Sequence, residues 1–345
     1  MKAAAIREHG GLEKLEVLDV PEPRAGAGQA VVAVRAAALN HLDIWVRRGG
    51  RASIPMPHVL GSDAAGVVAA VGQDVAGVEL GQEVVVYPGL GCGRCECCRR
   101  GERNLCNDFG IVGLNTPGTF AEKVAVPAAN VRPKPAHLTW EEAGALTLAH
   151  LTAWRMLMTR AALRAGETVL IHGVGGGVAL AALQLAKLAG AEAIVTSSSN
   201  EKLAKAVALG ADHAVNYAET DGADLPEVIR EATGGRGVDV VLDTVGAATW
   251  PVNFAVVRRG GRIVHCGVTG GADVHASVRK LYWDQITVMG STLGGEEDLR
   301  LLLRAVAVAR LRPVIDSVHP LDDARAATER MEAGRQFGKI VLRVV

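Results

Sequence analysis

Residues Thr168-Val169-Leu170-Ile171-His172 form an apolar run of β type. It leads at once into Gly173-Val174-Gly175-Gly176-Gly177-Val178-Ala179 and a helical stretch, Val178–Ala189. Few folds accept that order. The glycines let the backbone approach a pyrophosphate, whose charge meets N–H groups at the helix N-terminus. Any tight strand–helix turn can use glycine, so the flanks decide. Strand-like runs recur at Ala193–Thr196, Val238–Asp243, Arg262–Cys266 and Ile286–Gly290, with helical periodicity between several of them, as at Lys202–Leu209. From about residue 140 to 290 this alternation predicts an α/β, doubly wound parallel sheet that binds a dinucleotide.

The remainder reads differently. Residues 1 to about 135 alternate apolar runs (Ala30–Ala36, Gly66–Val71, Glu83–Tyr87, Ala121–Val126) with Gly and Pro, which predicts a β-rich, barrel-like unit. The last 55 residues predict helices at Leu299–Ala309 and Asp323–Glu332 and a terminal strand at Lys339–Val344. A chain of 345 residues suits two domains. Lys plus Arg and Asp plus Glu both number 37, and aromatics are 3%. Neither a basic face for nucleic acid or a membrane surface nor a base-stacking platform is expected. Val169 to Ala186 has the length of a membrane span but carries His172, Gln184 and four glycines, so it reads as strand, turn and helix. Met1-Lys2-Ala3-Ala4-Ala5-Ile6-Arg7-Glu8 reaches charge before an apolar targeting core can form, and a cytoplasmic location is expected.

Five of the six cysteines fall within fifteen residues, and that clustering indicates metal rather than disulfide. Cys92, Cys95, Cys98 and Cys106 spell C-x2-C-x2-C-x7-C, suited to a closed tetrahedral, structural zinc. The bacterial iron–sulfur pattern brings its fourth Cys after three residues with Pro behind it, whereas here the gap is seven and Asn107 follows. Cys97 is left over, and Cys266 is expected to be buried and inert. At the end of the second strand, where an NAD site places a carboxylate, the chain has Thr196-Ser197-Ser198-Ser199-Asn200 with Lys202 nearby. Hydroxyls and a lysine there suit a 2′-phosphate, so NADP(H) is preferred over NAD(H).

Over essentially its full length the chain resembles the medium-chain dehydrogenase/reductase superfamily. The match is carried by Ala38-Leu39-Asn40-His41-Leu42-Asp43, Gly61-Ser62-Asp63-Ala64-Ala65-Gly66, the cysteine lobe, the glycine turn, Val238–Asp243 and Gly338-Lys339-Ile340-Val341. The lobe's spelling is that of the zinc-containing alcohol dehydrogenases. The resemblance implies a GroES-like catalytic domain at 1–145 with its zinc lobe at about 90–107, a Rossmann domain at 146–293, and a C-terminal segment, 294–345, that returns to the catalytic domain. It also implies a homodimer or homotetramer acting on a small molecule.

The departures matter as much. Zinc alcohol dehydrogenases bind a catalytic zinc through a Cys, the His of a Gly-His-Glu triplet, and a third ligand four residues before a cofactor-contacting Thr. Here those positions are Asn40, Ser62 and Leu148, with Thr152 in the Thr place. Asn and Ser are weak ligands and Leu is none. The Gly61-Ser62-Asp63 triplet and Asn40 instead resemble the quinone oxidoreductases, which lack zinc and favour NADP. The expected activity is therefore NADPH-dependent reduction of quinones or conjugated carbonyl or alkene substrates, with an alcohol dehydrogenase as the alternative. An intact glycine turn and Thr152 favour an enzyme over a binding or structural protein. By position in the resemblance, Asn40, His41 and Asp43 form the catalytic set, with Asp43 orienting His41 or bracing the loop. Trp45, Ser62 and His150 are the substrate-side residues. Thr152, Gly175, Gly176, Gly177, Val178, Ser197, Ser198, Lys202, Tyr217, Gly267, Val268 and Lys339 are the cofactor-side residues.

Overall fold

The computed structural model of the chain describes residues 1–50, 54–219 and 225–344. It divides into two units, one formed by Met1–Leu151 with Gly295–Val345 and the other by Thr152–Gly294.

The second unit carries six parallel strands: β1 (Thr168–Ile171), β2 (Glu192–Ser197), β3 (His213–Asn216), β4 (Val238–Asp243), β5 (Val257–His265) and β6 (Thr287–Gly290). Their order is β3-β2-β1-β4-β5-β6. β1 lies mid-sheet and is buried along its whole length, which explains its unbroken apolar run. Its helix, Gly177–Leu188, is rich in alanine and leucine and mostly buried, so it lies close on the sheet. The chain order runs outward from β1 through β2 to β3, then restarts on the other side at β4. Such a reversal leaves a crevice at the carboxyl ends of the strands, where ligands bind in open α/β sheets. The run Val169 to Ala186 is indeed strand, turn and helix, and among the described residues no helix is long and apolar enough to cross a membrane.

The first unit is built on one long strand, Gln29–Ala38. It pairs antiparallel with Asp63–Val71 on one edge and with Lys123–Pro127 and then Lys339–Arg343 on the other. The strands Glu83–Val86, Val131–Pro133 and Ile315–Pro320 extend that sheet to seven. A smaller sheet joins Leu15–Asp19, Lys2–Ile6 and His58–Val59. Ala36, Ala37, Ala38, Ala64 and Ala65 are fully buried. Their small side chains admit the helix Trp140–Gly144 so closely that a Cβ on Gly144 would lie 2.7 Å from the Ala36 carbonyl oxygen. The strands Lys2–Ile6, Leu15–Asp19, His213–Asn216 and Ile315–Pro320 were not among those expected. Alanine is a poor strand former, and Ala3-Ala4-Ala5 extends because neighbours bury and pair it.

An ionic cluster around one buried aspartate clamps the second unit. Asp239 in β4 is 3% exposed and accepts from Arg236 Nη2 at 2.7 Å, from the Thr168 N–H at 2.8 Å and from Arg258. Burial opposes its ionisation, but these donors outweigh burial and hold the carboxyl well below its ordinary range. The stability it contributes is present above about pH 4 and is lost as pH falls through the depressed value. Asp239→Asn should therefore cost about 3 kcal/mol at neutral pH. It should also flatten the acid limb of the stability profile, both measured by urea denaturation at stepped pH.

Candidate active site and metal lobe

The glycine turn sits at the carboxyl end of β1. Gly175 has φ 126°, a conformation that only glycine adopts without strain. Gly176 has an ordinary φ of −75°, and a Cβ there would meet nothing closer than the Gly173 carbonyl oxygen at 3.8 Å. The chain's own packing therefore does not demand glycine at 176. Gly177 and Val178 open the helix behind it, which no side chain caps. An open cradle before an uncapped helix N-terminus fits the pyrophosphate of a dinucleotide.

A chain of polar groups underlies the turn. The Gly173 N–H donates to Thr196 Oγ1 at 3.4 Å, and Thr196 Oγ1 lies 3.1 Å from Nδ1 of buried His172. Nε2 of His172 lies 2.8 Å from Asn253 Oδ1, and Asn253 Nδ2 donates to Asp243 at 2.5 Å. Burial pushes the His172 pKa down, so the ring is neutral, with Nε2–H donating and Nδ1 accepting. Neither Asn253 nor Asp243 was among the expected site residues. The His172 partner Asn253 lies 81 residues away, and no local pattern announces it.

Most of the expected cofactor residues gather at the same edge of the sheet. Ser197 ends β2, and Tyr217 follows β3, its N–H donating to the Ser197 carbonyl at 3.1 Å. Ser198 is exposed, and Lys202 lies in the first turn of the helix Asn200–Ala208. Gly267 and Val268 follow β5, and Val268 is exposed. Thr152 is buried in the helix Thr147–Trp154. Two nearby carboxylates were not foreseen: Glu201 pairs with Lys205, and Glu219 accepts from Asn200 at 2.5 Å.

Lys339, expected at the cofactor, is held in a buried polar network. It belongs to the first unit, is 4% exposed, and its ammonium donates to the Leu39 carbonyl at 2.7 Å, Asn40 Oδ1 at 2.6 Å and Asp63 Oδ2 at 3.1 Å. Its three donors are all committed. Asn40, expected as an amide donor to substrate, is likewise engaged, because Nδ2 donates to Asp63 Oδ2 at 3.0 Å and to the Ala38 carbonyl at 3.2 Å. Asp63 also accepts from Thr147 Oγ1 at 2.8 Å and the Leu148 N–H at 2.6 Å. Asp43, expected to orient His41 or brace the loop, accepts two backbone N–H groups. It accepts the Asn40 N–H at 2.7 Å and the Gly61 N–H at 3.2 Å, and burial pushes its pKa up to about 7. His41 and Trp45 are exposed on the helix His41–Arg47, whereas Ser62 and His150 are buried. A catalytic zinc does not fit here. Asn40 is fully bonded, Leu148 has no donor side chain, and the protein's own ammonium already neutralises Asp63.

The cysteine lobe passes the same test. Among the described residues the one grouping of three or more His, Cys, Asp or Glu donors is Cys92, Cys95, Cys98 and Cys106, with sulfurs within 4.8 Å of one another. Tetrahedral zinc with Zn–S near 2.3 Å sets sulfurs roughly 3.8 Å apart. Backbone N–H groups of Cys95 and Cys98 donate to Cys92 Sγ at 3.3 Å and Cys95 Sγ at 3.4 Å, an arrangement that supports thiolates. Cys97 stands outside the set. The lobe also holds the returning chain: the Gly101 carbonyl accepts the Glu296 N–H at 2.8 Å, and Arg103 Nε lies 2.5 Å from Glu296 Oε1. Elemental analysis should find one zinc per chain. Cys95→Ser should lower the melting temperature more than it lowers activity per folded molecule.

Comparison with known proteins agrees with this architecture. Residues 26–136 match the alcohol dehydrogenase GroES-like domain family, and residues 177–307 match the zinc-binding dehydrogenase family. The chain is 32% identical to an NAD-dependent alcohol dehydrogenase of Sulfolobus acidocaldarius, over all of both chains. It is 33% identical to a crotonyl-CoA carboxylase/reductase of Cereibacter sphaeroides, over 96% of this chain and 84% of that one. A crystal structure of an NAD-dependent alcohol dehydrogenase superposes over all of both chains with a TM-score of 0.95 and 44% identity. The chain thus belongs to the medium-chain dehydrogenase/reductase superfamily and is an NAD(P)-dependent oxidoreductase of that type.

Proposed function

We propose that this enzyme is an NADPH-dependent reductase of quinones or conjugated carbonyl or alkene substrates that works without a catalytic zinc. The observation that carries the proposal is the Asn40–Asp63–Lys339 network, which occupies the expected metal position with bonded or non-ligating groups. Without a Lewis acid, a simple carbonyl loses its main means of stabilising oxyanion charge. A conjugated acceptor spreads that charge, and hydrogen-bond donors suffice. The bound nicotinamide supplies a hydride, and is itself oxidised, while the acceptor gains two electrons and takes its proton from water. One relative is named for crotonyl-CoA, whose double bond is conjugated to a carbonyl. Others are named NAD-dependent alcohol dehydrogenases, which supports the second reading, an alcohol dehydrogenase.

The chain's residues at the cofactor act by position. The cradle at Gly175, Gly176, Gly177 and Val178 takes the pyrophosphate, and Ser197, Ser198 and Lys202 take the 2′-phosphate. Tyr217, Gly267 and Val268 border the same edge of the sheet, and Thr152 contacts the nicotinamide. We also infer a cytoplasmic homodimer or homotetramer. The edge strand β6 and the exposed side chains of Val278 (72%), Tyr282 (64%) and Trp283 (64%) support self-association.

A panel separates the two readings: NADPH consumption with quinones and enones against NAD(P)⁺ reduction with alcohols. Turnover of the first group alone is expected, and a chelator should leave initial rates unchanged until the lobe unfolds. Rapid, reversible inactivation by chelation before any change in circular dichroism would put the alcohol dehydrogenase in its place. Ser197→Asp should shift preference from NADPH toward NADH at least tenfold in kcat/KM, because a carboxylate would face the 2′-phosphate. Equal binding of NADH and NADPH by the wild type would sink the cofactor assignment.

A further inference from the structure

Of six buried polar residues in the first unit (Asn40, Asp43, Ser62, Asp63, Thr147 and Lys339), five are committed. Asn40, Asp43, Asp63, Thr147 and Lys339 are tied to one another or to backbone groups. Ser62 is the sixth. It is fully buried, and its Oγ has no hydrogen-bond partner among the described residues. Buried hydroxyls are nearly always bonded, because an orphaned one forfeits its hydration for nothing.

Its backbone is held on both sides. The preceding Gly61 donates its N–H to Asp43 and has φ 97°, and a Cβ there would lie 2.3 Å from the Phe120 ring. The following Asp63 is anchored by Lys339, Asn40, Thr147 and the Leu148 N–H. Ser62 is therefore a hydroxyl on a locked backbone with its proton unspent, between two residues of the anchored network. Hydrogen-bond donors fixed in advance, in surroundings closed to water, stabilise charge that develops during a reaction.

We propose that the Ser62 hydroxyl donates the hydrogen bond to the carbonyl oxygen of the acceptor, an inference that rests on the reductase reading above. As hydride reaches the conjugated acceptor, the displaced electron pair moves onto that oxygen, which Ser62 Oγ–H stabilises. Ser62 keeps its proton, and water supplies the one the product gains. The assignment passes from Asn40, whose amide hydrogens are engaged, to a buried hydroxyl whose hydrogen is not.

The test is Ser62→Ala in the full-length protein, assayed with NADPH and either 1,4-benzoquinone or methyl vinyl ketone, alongside thermal denaturation. The expected result is a fall in kcat of about 100-fold or more with KM little changed. The melting temperature should rise by a few degrees, because an unbonded buried hydroxyl has been removed. A hydroxyl with a purely structural bond would show the reverse, unchanged turnover and a lower melting temperature. Retention of kcat within threefold, or a lowered melting temperature, overturns the assignment of Ser62 alone. Failure of the wild type to oxidise NADPH with either probe overturns the reductase reading, and this inference with it.

Discussion

The buried ion pair between Lys339 and Asp63 organises the first unit. Two charges that are 4% and 0% exposed lie 3.1 Å apart and 276 residues apart in sequence. Taking either out of water alone would be costly, so each requires the other and the donors and acceptors around them. Those partners come from the end of the strand Gln29–Ala38, the start of the strand Asp63–Val71, the segment at Thr147 and Leu148, and the terminal strand Lys339–Arg343. The Ala38↔Asp63 and Ala38↔Val341 pairings bring the same strands together through the backbone. Side-chain charge and main-chain ladder therefore specify one register, and a slip in either would strand a charge.

That economy explains the chemistry open to the site. A metal centre needs donors with lone pairs to spare, and here the lone pairs of Asp63 and Asn40 are taken by a lysine. The lysine supplies the positive charge, but it is spent on the fold. On the proposed reading, what remains for an acceptor is hydrogen bonding, which suits substrates that carry their charge over several atoms. In the second unit the polar chain from Gly173 through His172 and Asn253 to Asp243 ties β1, β2 and the segment after β4 beneath the glycine turn. On the proposed reading the turn stays open for a phosphate, and it is fastened from below.

The parallel sheet, the β-rich unit and the metal lobe were legible because their signals are local. A glycine turn between strand and helix, and four cysteines at short spacing, place their chemistry within a few residues. The weak or absent ligand character of Asn40, Ser62 and Leu148, at the place where the resemblance expects a metal, was equally legible. The occupation of that place by Lys339 was not, since the lysine's partners are distant and its strand reads as an ordinary apolar terminus. The same holds for Asn40, whose amide resembles a free donor until Ala38 and Asp63 are seen to claim it. The strand at Ala3-Ala4-Ala5 escaped for a related reason: its extension is imposed by pairing with Leu15–Asp19, not by its own residues.

The grip of the cysteine lobe on Glu296 has a consequence for how the molecule is made. The four sulfurs are complete once residue 106 has been synthesised, whereas the helix Glu296–Ala309 that the lobe holds comes after the whole second unit. On a ribosome the metal can therefore load early, on a half-finished unit whose sheet still lacks its terminal strand Lys339–Arg343. In the finished fold the lobe offers the Gly101 carbonyl and Arg103 to the returning chain. The cysteines of the lobe are thus synthesised more than two hundred residues before the strand that closes the first unit.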